Sequence, residues 1–363
     1  MDMRTGATAA MGDGSGNGVA GRPRAASLAC AAMLCAAALP DAPARAADGD
    51  TLAAVRERGA VTCGVNESLP GFAEANSLGA WSGLFVDFCR AVAAAALGDA
   101  EAVDFVPVGT AERFDELAAG RFDLLSRNTT WTLGRNAAYG SFVGVNFYDG
   151  QGFMVPKRAA VRSALELDDR PICVSRGTTT EQNAVDYFAS TGMRYRPVLF
   201  DDELAAVEAY AAGRCDALTS DRSALAAHRT SFEVPDAHLL LPEVVSKEPL
   251  GPMVRADDPD WENVVRWTLA CTVNAEELGI RSTDVGEPGA ARTPAARWLL
   301  GLEGDAGAAL GLSATWCADV VAGVGNYGES YDRHLGPGTP IGLERGMNAL
   351  WTDGGLLYAP PVR

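Results

Sequence analysis

The sequence predicts an α/β protein of two similar lobes, each a mainly parallel sheet flanked by helices, joined by two crossover segments. Three observations carry this reading. Residues 61–126 run strand, helix, strand, helix, strand, the order that builds a parallel sheet with helices on its faces. The same order returns at 172–220. The two stretches also end alike. LAAGRFDLLS at 117–126 and YAAGRCDALTS at 210–220 each pass from a helix end through Gly-Arg-x-Asp into an apolar strand that closes on a hydroxyl.

In the first lobe, TLAAVRER at 51–58 is a short helix, and Gly59 stands where a left-handed residue ends one. Residues 61–65 form the first strand, followed by a polar loop at 66–75 that Pro70-Gly71 turns. A strong helix covers 84–97 and stops at Gly98; a strand at 102–108, a helix at 112–119 and a strand at 122–126 complete the unit. The second lobe has a strand at 172–175, a turn RGTTTE at 176–181 that opens a helix over 182–190, and a strand at 196–200. A helix at 202–212 breaks at Gly213, a strand covers 214–220, and a helix covers 222–228. Extended Gly- and Pro-containing segments at 148–156 and 244–254 take the chain out of lobe one and back, which makes a two-strand hinge. The expected division is therefore lobe 1 at 47–150 plus 250–285, lobe 2 at 151–249, and a C-terminal extension at 286–363. A helix with an apolar stripe covers 261–278. The extension holds a helix over 314–323 and a Gly/Pro-rich end, with aromatics expected to pack on lobe 1.

The length of 363 residues suits about two domains plus additions. A 48% hydrophobic fraction is ample for two cores, and a net charge of −17 without any basic stripe argues against nucleic acid as a partner. The N-terminus reads as a signal peptide over 1–46: Arg22 and Arg24 form a basic start, 25–39 is apolar but too short to span a bilayer, and Ala44-Arg45-Ala46 is a cleavage site. Met11 is an alternative start to Met1. Of eight cysteines, six lie beyond the signal peptide, Cys63, Cys89, Cys173, Cys215, Cys271 and Cys317, and an even number in an exported chain reads as disulfides. Many connectivities are possible; pairs close in sequence, 63–89, 173–215 and 271–317, are favoured. With no CxxC and three scattered histidines, no metal and no cofactor is expected.

Ligands of such sheets bind beyond the carboxyl ends of the strands. At the first of these ends lie Arg127, Asn128, Thr130 and Arg135, small polar groups with a planar guanidinium that fits a carboxylate. The matching end in lobe two carries Gly177, Thr178 and Thr179 at a helix N-terminus, where free N–H groups attract anions. Thr178 with Glu181 reads equally as a capping box. Asp221 follows the strand at 214–220 and suits an ammonium group, or else caps the next helix. Asn66, Glu67 and Ser68 follow the first strand and either touch a ligand or form a solvated loop. Arg127 either pairs with an acidic ligand side chain or lies on the surface. A GxGxxG match at 323–328 has a helix before it and an expected coil after it, which excludes the dinucleotide reading.

The segments WSGLFVDFCRAVAAAALGD, FDLLSRNTTWTLGR, YDGQGFMV, CVSRGTTTE, AGRCDALTSDRSAL, SKEPLGPMVR, GNYGESYDRHLG and RGMNALWTDGGLLYAPPVR are spread along the chain from residue 81 to residue 363. Through them it resembles the periplasmic solute-binding proteins of ABC transporters for polar amino acids, closely the general L-amino acid-binding subgroup. The resemblance implies a type II two-lobe periplasmic-binding fold, a monomer that traps an L-amino acid between its lobes, and membrane permease subunits as partners. It implies that Thr130 and Arg135 hold the α-carboxylate, that the 177–179 backbone completes that clamp, and that Asp221 binds the α-ammonium. The family commonly covers the ligand with an aromatic where this sequence has Leu69. A periplasmic enzyme on the same scaffold, of the cyclohexadienyl dehydratase kind, is the alternative. It needs a general acid, for which Glu67 is the candidate.

Overall fold

The computed structural model describes residues 50–287, 289 and 291–362. The segment read as a signal peptide, 1–46, lies outside the described residues. Asp50 caps helix α1 (Thr51–Arg58) through the Ala53 N–H, and strand β1 (Val61–Val65) follows. The loop expected at 66–75 includes one side of a small ribbon, β2 (Glu74–Ala75) with β3 (Trp81–Ser82). Next come α2 (Leu84–Leu97), β4 (Val103–Pro107), α3 (Arg113–Ala118) and β5 (Leu124–Leu125). The Thr-rich stretch after β5 is more than a turn. Thr132 accepts the Arg135 N–H and starts a short helix, α4 (Leu133–Tyr139), before β6 (Ser141–Phe142).

The first crossover contains β7 (Phe147–Asp149) and then β8 (Gln151–Pro156), which is no mere connector: all six of its residues are buried. The second unit continues with β9 (Pro171–Ser175), α5 (Thr179–Thr191), β10 (Arg196–Phe200), α6 (Glu203–Ala211), β11 (Ala217–Asp221), α7 (Arg222–Arg229) and β12 (His238–Leu240). The returning crossover carries β13 (Glu248–Leu250) and β14 (Met253–Val254), and leads to α8 (Pro259–Glu277), α9 (Pro294–Leu299), α10 (Trp316–Val324) and α11 (Tyr327–His334).

Two five-stranded sheets result, ordered β4-β1-β5-β14-β6 and β10-β9-β11-β8-β12. In each, three strands pair in parallel and the rest join through antiparallel neighbours. The two crossovers hydrogen-bond to each other as an antiparallel ribbon, Glu248 opposite Asp149 and Leu250 opposite Phe147. The Gly-Arg-x-Asp turns share a backbone: Gly120 and Gly213 sit at φ 72° and 75°, where glycine is favoured. Their aspartates diverge. Asp123 is buried, holding the Thr62 N–H at 2.8 Å and Arg58, whereas Asp216 is exposed, 3.5 Å from Arg170.

Disulfides join Cys63 to Cys89, Cys173 to Cys215 and Cys271 to Cys317, closing separations of 26, 42 and 46 residues. Loops of that size are worth about 3–4 kcal/mol each in chain-entropy terms. The first ties β1 to α2, the second ties β9 to the start of β11, and the third ties α8 to α10.

The coil expected after 323–328 is instead α11. Asn326 and Glu329 form a reciprocal capping box, a signal for a helix start carried by Asn-Tyr-Gly-Glu. Trp316, Tyr327 and Tyr331 are buried in the core shared with α2 and α8, while Trp351 and Tyr358 remain exposed at 49% and 74%. One buried carboxylate fastens α11 to α2. Asp87 accepts from Ser330 Oγ at 2.7 Å, Arg333 Nη2 at 2.5 Å and His334 Nε2 at 2.9 Å. Burial raises the Asp87 carboxyl, but the His334 hydrogen bond and the His334 and Arg333 charges outweigh it and leave the group below its ordinary value. A depressed acid contributes stability that is present above its unfolded value and lost as pH falls through the folded one. Asp87→Asn should therefore lower unfolding free energy by about 1–3 kcal/mol at neutral pH. It should also flatten the loss of stability on acidification below about pH 4, as followed by denaturant titrations across that range.

Candidate functional site

The carboxyl ends of β5, β9 and β11 open on one cavity. From the first sheet's side Arg127, Asn128, Thr130 and Arg135 line it, and from the second Thr178, Thr179 and Asp221. Asn66 lies one layer behind, 3% exposed, donating through Nδ2 to Asn128 Oδ1 at 2.7 Å. Glu67, the candidate general acid of the enzyme alternative, is exposed and does not line the cavity. Leu69 is buried in the core, and among the described residues no aromatic lines the cavity.

Each loop is pinned by its own backbone. Trp131 N–H donates to the Pro249 carbonyl at 2.8 Å and Gly251 N–H to the Thr129 carbonyl at 3.0 Å, so the 128–131 loop is sewn to the returning crossover. Arg135 Nη1 reaches the Thr130 carbonyl at 3.0 Å, and its guanidinium carbon lies 5.4 Å from the centre of the Phe114 ring. Opposite, Thr178 caps α5 by accepting the Glu181 N–H. The Glu181 carboxylate reaches Gly177 N–H at 2.7 Å rather than the cap residue, so the capping box is only half formed and Gly177 N–H is occupied. Asp221 starts α7 but its side chain makes no cap bond, which leaves the carboxylate facing the cavity with Asn128 Nδ2 at 3.4 Å.

Sequence reasoning missed the residue on which both loops converge. Glu248, 1% exposed, accepts from Thr130 Oγ1 at 2.6 Å, Thr179 Oγ1 at 3.1 Å, Asn183 Nδ2 at 2.6 Å and Ser246 Oγ at 2.6 Å. The Thr130 and Thr179 hydroxyls thus meet at one Glu248 oxygen and also lie 3.3 Å apart, where either can donate to the other. Thr110, Arg113, Ser175, Thr180, Glu203, Thr219 and Ser220 also line the cavity and were not singled out. The repeated hydroxyl at the strand end was the available signal for Ser220; nothing local marked Arg113, which reads as an ordinary surface residue opening a helix.

Charge is concentrated here. Burial, with the charges of Arg127 and Arg135 nearby, holds the Arg113 guanidinium well below its ordinary value. Burial brings Arg127 down to about 10, and it also lowers Arg135. On the acidic side, burial and then the Asp149, Glu248 and Glu203 charges push Asp221 well above the usual carboxylate range. Asp149, which caps α7 through Ser223 N–H at 3.1 Å, is raised by burial to about 6. Glu203 goes the other way. Burial opposes ionisation, but His228, the Ser220 hydroxyl and the Arg127 charge outweigh it and set the group at about 2. The cavity can accept an anion at its guanidinium edge and a cation at Asp221. Among the described residues no cluster of His, Cys, Asp and Glu is arranged to hold a metal, and no helix is long and apolar enough to cross a membrane.

Comparison with known proteins shows the family. The chain is 49% identical over 323 residues to the general L-amino acid-binding periplasmic protein AapJ of Rhizobium johnstonii, covering 88% of this chain and 95% of that protein. It is 47% identical over 322 residues to the glutamate/glutamine/aspartate/asparagine-binding protein BztA of Rhodobacter capsulatus, covering 88% and 95%. A solved ABC transporter periplasmic binding protein from Brucella ovis with glutathione bound superposes with a TM-score of 0.85 at 48% identity, covering 87% of this chain and 100% of that one. The sequence pattern of the bacterial extracellular solute-binding proteins, family 3, matches residues 61–279, a span that holds both sheets, the ribbon between them and every residue of the cavity. Two-lobe fold, interlobe cavity and sequence therefore place the chain in that family.

Proposed function

We propose that the protein captures L-amino acids in the cavity between its sheets, closes on them about the β7–β13 ribbon, and delivers them to the permease of an ABC transporter without transforming them. One observation carries this reading: Arg135 and Asp221, from opposite sheets, line one cavity, and that is the pair a zwitterion requires. Arg135 takes the α-carboxylate and Asp221 the α-ammonium, with Thr130, Thr178, Thr179 and Asn128 around them and Asn66 supporting Asn128. The α5 N-terminus offers further N–H groups to the carboxylate. The AapJ and BztA relatives are named for binding amino acids, and the Brucella relative is an ABC transporter component. We assign lobe 1 to 47–150 with 250–285, lobe 2 to 151–249, and the extension to 286–363. We also infer a signal peptide over 1–46, removed on export to the periplasm, where the chain works as a monomer; its basic start and apolar stretch support this.

Three outcomes are expected. Arg135→Ala and Asp221→Ala should each weaken L-amino acid binding by about a hundredfold while the melting transition persists; unchanged calorimetric affinity in both would sink the reading. Because burial and the Asp149, Glu248 and Glu203 charges raise Asp221 and an ammonium favours its charged form, binding should release a proton under mildly acidic conditions and tighten as pH rises toward neutral. The buffer dependence of the binding enthalpy near pH 5 reads that proton directly. Glu248→Ala leaves four donors, the buried Thr130 among them, without that acceptor, so it should weaken binding by about tenfold and lower the melting temperature together.

A further inference from the structure

A zwitterion held by Arg135 and Asp221 leaves two guanidiniums of the cavity without a counterpart. Arg113, the first residue of α3, and Arg127, just past β5, are 3% and 5% exposed and both line the cavity. Arg113 gives one N–H to the Thr110 carbonyl. Arg127 gives Nη1 to the Val108 carbonyl at 2.5 Å and Nη2 to Thr110 Oγ1 at 3.3 Å. The Nε of each is buried without a hydrogen-bond partner. Among the described residues no carboxylate lies within 4.0 Å of either guanidinium. The charge of Glu203 acts on both guanidiniums from beyond contact distance and offsets part of the cost of burying them, but its oxygens are held by other groups. Glu203 is held by Ser220 Oγ at 2.9 Å and by His228 at 3.5 Å, and Glu248 is filled by its four donors.

A guanidinium taken out of water without an anion is costly, and both arginines register this as depressed values. Carbonyl and hydroxyl contacts satisfy part of their N–H groups and none of their charge. The Phe114 ring, 4.4 Å from the Arg113 guanidinium carbon, and the Thr110 contacts fix the two planes in place. Two preset guanidiniums on the cavity wall, Arg113 on the same Phe114 ring as Arg135, form a receptor for a planar carboxylate in multipoint contact.

We propose that Arg113 and Arg127 form a second anion subsite, so that the preferred ligands are L-amino acids carrying a side-chain carboxylate. The assignment rests on the Arg135–Asp221 reading of the backbone end of the ligand. That end sets the class of amino acids, and Arg113 with Arg127 sets the preference within it. Glutamate and aspartate supply the missing charge, whereas glutamine and asparagine match the shape without it.

Titration calorimetry on the mature chain, with L-glutamate, L-glutamine and L-alanine as probes, tests this. In the unmodified protein glutamate should bind at least about tenfold tighter than glutamine. In Arg113→Met that ratio should fall toward one, and in Arg113→Lys, which keeps the charge, much of it should return. Equal affinity for glutamate and glutamine in the unmodified protein overturns the proposal, even if Arg113→Met does not fold. An unchanged ratio in a folded Arg113→Met also overturns it, while the amino acid reading stands as long as glutamine or alanine still binds. Failure of every amino acid to bind overturns that reading and the subsite with it.

Discussion

The cleft depends on one buried carboxylate. Glu248 lies on the returning crossover, in the ribbon that joins the two sheets, and is almost wholly out of water. A carboxylate in such a place is tolerated only if its lone pairs are filled. Its donors come from three parts of the chain: Thr130 beyond the first sheet, Thr179 and Asn183 at the start of α5, and Ser246 beside it on the crossover. They converge only when the sheets are drawn together. The requirement that hides Glu248 therefore also sets the spacing between the loops that carry Arg135 and Asp221.

Rigidity and freedom are divided around that point. Each disulfide stays within one sheet with its helices or ties α10 to α8, and none spans the ribbon. Asp87 likewise fastens α11 to α2, inside the first core. The connections between sheets include the β7–β13 ribbon, polar contacts at the cavity such as Asn128 with Asp221 and Thr130 with Thr179, and the small apolar face of Ala224, Ala226 and Ala227 on α7, which joins the core of α2 and α8. Two stiff bodies linked by a ribbon, by hydrogen bonds and by a contact of small alanines suit hinge motion, because hydrogen bonds exchange with water at modest net cost and alanine buries little area. The charges follow the same division: a protein with a net charge of −17 gathers three arginines into one cavity, so its binding surface opposes its overall field.

Elements built from local patterns were legible. The apolar periodicity of α2 and α8, the glycine stops at Gly59 and Gly98, and the paired Gly-Arg-x-Asp turns place most helices and strands within a residue or two. The strand-end argument placed Asn128, Thr130, Arg135, Thr178, Thr179 and Asp221 on one cavity, because a parallel strand delivers whatever follows it to the same edge. Errors arose where composition misleads. The Gly- and Tyr-containing stretch after 323 looked like coil because its capping box went unnoticed, and β8 looked like a connector although it runs inside a sheet.

The sequence by itself determined the two-lobe plan, the repeat that relates the lobes, and the residue types at the mouth of each, since all three rest on neighbours a few positions apart. Tertiary structure alone decided the roles of Glu248, Arg113 and Glu203. In a Pro-rich crossover Glu248 reads as a solvated acid; its partners Thr130, Asn183 and Thr179 are 118, 65 and 69 residues away. Arg113 opens a short helix that by pattern belongs to the surface, yet it is 3% exposed and lines the cavity with residues far along the chain. Burial turns an ordinary charge into one that demands a counterpart, and burial is a property of what the distant chain covers.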